Sequence, residues 1–144
     1  ACYFFSIAFG ASLAPRISRM FNRRHAVTLA AIFACLAFVQ VALAMQDEIG
    51  WFAGVFIVYS ILLGASETPA SSILHKCVDD RQRSTILSLR SLIQQLGAAL
   101  GLVLVGAIAE VYSTPVAWIF GAGFLGLAVI LTCLLAMRLG AMPE

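Results

Sequence analysis

Every lysine and arginine of this chain falls on one side of a membrane once its long apolar runs are read as spans. Five runs carry the pattern: residues 1–15, 27–45, 51–65, 86–109 and 116–137. Arg16, Arg19, Arg23 and Arg24 follow the first run, and Lys76, Arg81, Arg83 and Arg90 gather where the third gives way to the fourth. Arg138 closes the last run, and the stretches around Asp47 and Ser113 hold no basic residue. All nine basic residues therefore share one face, which the positive-inside rule assigns to the cytoplasm. The expected product is an all-α, polytopic membrane helix bundle. Its loops near residues 22 and 79 and its C-terminus are expected in the cytoplasm, and its loops near 47 and 113 outside.

Composition points the same way. The chain is 62% hydrophobic and 11% charged, against roughly 25% charged residues in soluble domains. A helix crosses the hydrocarbon layer with about 20 apolar residues. Three runs meet this directly, and the run from Trp51 meets it by continuing through Glu67 toward Leu74. The opening stretch is apolar, lacks an initiator Met and precedes its positive charges, an order unlike that of a secretory signal peptide. The chain is expected to be part of a longer protein. Cys2, Cys35, Cys77 and Cys133 are widely spaced and show no ligand-like pairing.

Turn and breaker residues divide the chain into helices at about 1–20, 25–45, 51–75, 81–111 and 115–138, one partial transmembrane domain over residues 1–144. Pro15 is an expected kink, Asp80 an expected cap for the fourth helix and Pro115 an expected first-turn residue of the fifth. The second and fifth helices are almost uniformly apolar, broken by residues such as Gln40 and Thr132. The third and fourth carry the polar side chains.

On the fourth helix Ser84, Ser88, Ser91, Gln95, Ala98 and Leu102 recur at steps of three and four, so they form one stripe. Polar groups are costly in hydrocarbon, so Ser88, Ser91 and Gln95 are expected to line a cavity. Arg90, Gln94, Gly97 and Gly101 form a second stripe, in which Gly97 and Gly101 suit a close helix contact. On the third helix Ser60, Glu67 and Ser71 share a face. A carboxylate inside an apolar span is a functional candidate by default. Glu67 is read either as a proton carrier or as a structural ion pair or cap near the cytoplasmic interface, eight residues before His75. Pro69 removes a backbone hydrogen bond, so Gly64 and Pro69 are read as a hinge beside it.

Apolar helices interleaved with polar ones, Arg83-Ser84-Thr85-Ile86-Leu87-Ser88 opening a glycine-bearing helix, and a basic loop ending Phe21-Asn22-Arg23-Arg24 together resemble the C-terminal half of a major facilitator superfamily transporter. The resemblance covers the whole chain as the eighth to twelfth of twelve helices, five of a six-helix domain. It implies that the eighth, tenth and eleventh helices line a central cavity while the ninth and twelfth lie outside. It also implies alternating access by two rocking bundles, the other being an N-terminal half upstream of this chain. The basic loop departs from the family signature: Pro15, Arg19, Met20 and Asn22 stand where the family has Gly, Asp, Arg and Gly. A gating role for Arg16, Arg19, Arg23, Arg24, Arg81 and Arg83 is therefore carried by charge alone.

The function expected is secondary transport of a small solute, in the form of a proton-coupled drug or metabolite exporter in a plasma membrane of the bacterial inner-membrane kind. The rival reading is a non-transporting membrane scaffold, assembly factor or inactive transporter-like protein. No catalytic set, metal-ligand spacing or phosphate-binding glycine loop competes, so no enzyme activity, cofactor or metal is expected. The basic loops suit orientation and anionic lipid better than nucleic acid.

Sidedness is open to direct test. With native cysteines removed, single cysteines at positions 47 and 113 should react with an impermeant thiol reagent on intact cells, and cysteines at 22 and 79 should not. Strong labelling at 22 or 79 would overturn the orientation.

Overall fold

The computed structural model describes residues 2–20, 25–78 and 82–140. They form five helices: α1 Cys2–Met20, α2 His25–Ala44, α3 Ile49–Cys77, α4 Arg83–Val111 and α5 Thr114–Gly140. Among the described residues there is no strand. α2, α3, α4 and α5 are long and apolar enough to cross a membrane, and the protein is a multi-pass membrane protein. α1 is the exception. Arg16 and Arg19 follow Pro15 in its last turns, after the apolar residues 2–14.

Two of the expected breakers lie inside helices. α1 continues through Pro15 and α3 through Pro69 without interruption. Each proline still deletes one helical hydrogen bond, and at Pro69 the carbonyl of Ala65 is the group that loses its donor. The N-cap of α4 is Gln82, without a side-chain cap bond; Asp80 lies outside the described residues. Pro115 falls in the first turn of α5, where a missing N–H costs nothing, and the Ala117 N–H donates to the Ser113 carbonyl at 3.1 Å to close that turn.

The helices pack in the order α1, α3, α2, α5, α4, each mainly against its neighbours in that series. At the α2–α3 junction Ile32, Leu36 and Ala65 form the buried core, with Phe33, Tyr59, Leu62 and Leu125 packed around them. The series curls so that α4 returns toward α3, and the arc encloses a groove bordered by all five helices, with Tyr3, Gln40, Tyr59, Gly101 and Trp118 on its wall.

The tightest packing lies between α1 and α3. Ser6, Gly10, Ala14 and Ser18 repeat every four residues along α1 and are all buried. Gly10 lies against the backbone of Ile61, and Gly64 against the backbone of Ile7, so a Cβ on either glycine would land on a carbonyl oxygen. Small residues at this spacing let two backbones meet, which is how helices gain contact where lipid removes any hydrophobic drive between them. The two glycines read from sequence as a packing pair, Gly97 and Gly101, are different: a Cβ at either meets nothing within 4 Å.

Gly64→Leu should therefore cost about 3 kcal/mol or more, since the obstacle is backbone that cannot repack. Gly54→Leu, on the same helix but with nothing within 4 Å, should be nearly neutral. Folded yield by size exclusion and thermal melting compares them, and equal behaviour would remove the case for a close crossing.

Candidate functional site

The polar groups of α3 and α4 meet at one place. Arg90, one-quarter exposed, donates from Nη2 to Glu67 Oε2 at 2.9 Å and from Nη1 to Ser71 Oγ at 2.9 Å. The geometry follows from spacing: Glu67 and Ser71 are one turn apart on α3, so both lie within reach of the two nitrogens of one guanidinium. Glu67 keeps 54% of its side chain exposed. The carboxylate is thus charge-paired on one side and left uncovered by the described residues on the other.

Pro69 is fully buried between Glu67 and Ser71. Ser66 Oγ donates to the Leu63 carbonyl at 2.7 Å and Ser72 Oγ to the Thr68 carbonyl at 2.9 Å, so the hydroxyls beside the proline are satisfied within α3. Ser60 stays apart from the trio. It is fully buried, and its Oγ donates to the Phe56 carbonyl at 2.8 Å.

Ser88, Ser91 and Gln95 are exposed on α4, and the stripe they begin continues through Ala98 and Leu102 into the groove. Arg16 and Arg19 are exposed at the end of α1, with Arg19 Nε donating to the Pro15 carbonyl at 3.4 Å. Arg83 opens α4. Arg23, Arg24 and Arg81 lie outside the described residues. No group of three or more histidine, cysteine or acidic side chains stands close enough to hold a metal among the described residues.

Sequence reading singled out Glu67 and left its partner unnamed. Arg90 sits 23 residues away on another helix, and periodicity within one helix says nothing about the register between two. The signal available was the position of Arg90, about two turns inside α4, where a cation needs a counter-charge. The α1 stripe of small residues was equally visible as a four-residue repeat and was passed over.

Residues 1–141 match the family model of the Major Facilitator Superfamily. No curated protein and no solved structure matches the chain.

A double-mutant cycle tests the α3–α4 link. Glu67→Gln, Arg90→Gln and their combination, compared by thermal melting in one detergent, should show a coupling of about 1 kcal/mol. Strict additivity would mean that the pair contributes nothing to holding α4 against α3.

Proposed function

The chain belongs to the Major Facilitator Superfamily, a family of membrane transporters, and from that premise we propose that it forms the coupling part of a proton-driven exporter of small drugs or metabolites. The observation that carries this reading is the Arg90 guanidinium shared between Glu67 and Ser71. An ionised Glu67 holds Arg90 by charge and by a hydrogen bond. A proton taken up by the exposed carboxylate cancels the attraction, and α4 loses its tie to α3. Release of the proton restores it. The chemistry needs no cofactor.

The surroundings suit such a cycle. The Gly10–Gly64 crossing fixes α3 just before Glu67, while Pro69 weakens the helix just after it. α3 thereby has a pivot and a soft segment on either side of the carboxylate. Ser88, Ser91 and Gln95 offer hydroxyls and an amide to the polar groups of a solute. In this reading the chain supplies the eighth to twelfth helices of a two-bundle transporter. A partner bundle packs over the open Gly97 and Gly101 face of α4, and Arg16, Arg19, Arg23, Arg24, Arg81 and Arg83 border the cytoplasmic gate of a bacterial inner-membrane protein. Alternating access then consists of this bundle and the partner bundle rocking against each other, with the α3–α4 tie made and broken in the course of the cycle.

Proteoliposomes under an imposed pH gradient, with ethidium as the probe solute, give the test. Glu67→Gln keeps shape and removes charge, so uphill movement should fall at least tenfold while ethidium binding stays within about twofold, and Glu67→Asp should retain part of the coupling. Wild-type uphill transport by the Gln variant would leave the pair a structural tie. No gradient-driven flux from any variant, wild type included, would favour a membrane scaffold.

A further inference from the structure

Arg90 bridges the softened point of α3. Glu67 stands before Pro69 and Ser71 after it, and the guanidinium holds the first through Nη2 and the second through Nη1, both at 2.9 Å. Pro69 has no N–H to give the Ala65 carbonyl, so the two parts of α3 are joined there by one hydrogen bond fewer. The part before the proline is anchored, because Gly64 lies against the backbone of Ile7 in α1. Residues 70–77 lie beyond that crossing.

The two acceptors differ in chemistry. A carboxylate gains or loses its charge with a proton, whereas a serine hydroxyl stays neutral and keeps its accepting lone pairs. The arginine stays cationic throughout, and inside an apolar span it needs an acceptor at all times. With Glu67 ionised, the carboxylate is the stronger partner, since it adds charge attraction to a hydrogen bond. With Glu67 neutral, the carboxyl offers an oxygen without the charge, and Ser71 is the partner that has lost nothing. The other three serines of α3 are spent differently: Ser60, Ser66 and Ser72 each donate to a carbonyl of their own helix, while the Ser71 oxygen accepts from α4.

We propose that Ser71 is the positioning residue of the α3–α4 switch: when Glu67 is neutral it retains the Arg90 guanidinium, so that α4 moves with residues 70–77 while its link to the α1-bound part of α3 is lost. The proposal rests on the reading of Glu67 as the group whose charge changes. The tie broken by the proton is the one to the anchored part of α3. The arginine stays one helical turn from the carboxylate it must meet again, so the pair re-forms in the same register.

Distances between spin labels test this on the full chain in lipid nanodiscs, with native cysteines replaced. One label pair, at Val58→Cys and Leu92→Cys, reports α4 against the α1-bound part of α3. The other, at His75→Cys and Leu92→Cys, reports α4 against the part beyond Pro69; all three positions are exposed. In the parent sequence at mildly alkaline pH both distance distributions should be narrow, with or without Ser71→Ala. Glu67→Gln, which keeps position 67 neutral, should broaden the first distribution about twofold and leave the second narrow. Ser71→Ala added to Glu67→Gln should broaden the second about twofold as well, and Ser71→Thr, which restores a hydroxyl, should narrow it again. A second distribution that ignores Ser71→Ala when position 67 is neutral overturns the proposal. Equal broadening by Ser71→Ala with Glu67 intact overturns it too, because the serine would then be an ordinary packing contact. So does a first distribution that Glu67→Gln leaves narrow. Glu67→Ala supplies the neutral background if the double variant with Glu67→Gln does not fold. None of these distances depends on an imposed gradient, so loss of ethidium flux and failure of this proposal are separate results.

Discussion

Helices in a bilayer gain nothing from shedding water against one another, because the lipid around them is as apolar as their own side chains. The architecture therefore depends on how closely α1 and α3 can approach. Ser6, Gly10, Ala14 and Ser18 clear one face of α1, and Gly64 clears the matching point on α3. Backbone rests on backbone there. α2 packs onto α3 through Ile32 and Leu36, α5 packs onto α2, and α4 follows α5 at the end of the series. Each later contact inherits its position from the first.

Two polar side chains tie helices together within this apolar framework. Gln40 ties α2 to α5 through the Trp118 carbonyl, and Arg90 ties α4 to α3 through Glu67 and Ser71. The first tie is buried and the second is half open. A tie that can be reached can also be undone, which is the difference between a structural link and one suited to a transport cycle. α4 has the weakest hold on the rest: its apolar faces are largely uncovered within this chain, and Arg90 is its side-chain link to α3.

Most of the fold was legible because a transmembrane helix announces itself. Twenty consecutive apolar residues leave little else for α2 or α5 to be, and the helix ends fell within about two residues of expectation, as with α3 opening at Ile49 where Trp51 was expected. Glu67 was legible as an isolated carboxylate. Its pairing was not, because the rotation of α3 relative to α4 is set by the packing of other helices. Within the chain, Gly10 and Gly64 are the glycines that face a neighbouring backbone, whereas a Cβ at Gly97 or Gly101 meets nothing within 4 Å.

The order of Glu67 and Arg90 along the chain bears on how the protein is made. An arginine well inside a helix raises the free energy of that helix's entry into lipid, by up to about 3 kcal/mol at the centre of a span. Glu67 is synthesised 23 residues earlier, so α3 presents a carboxylate before α4 leaves the insertion machinery. The cation then enters a membrane that already contains its counter-charge. The cost of placing the Arg90 charge in lipid is thus offset by a carboxylate that the chain carries one helix earlier.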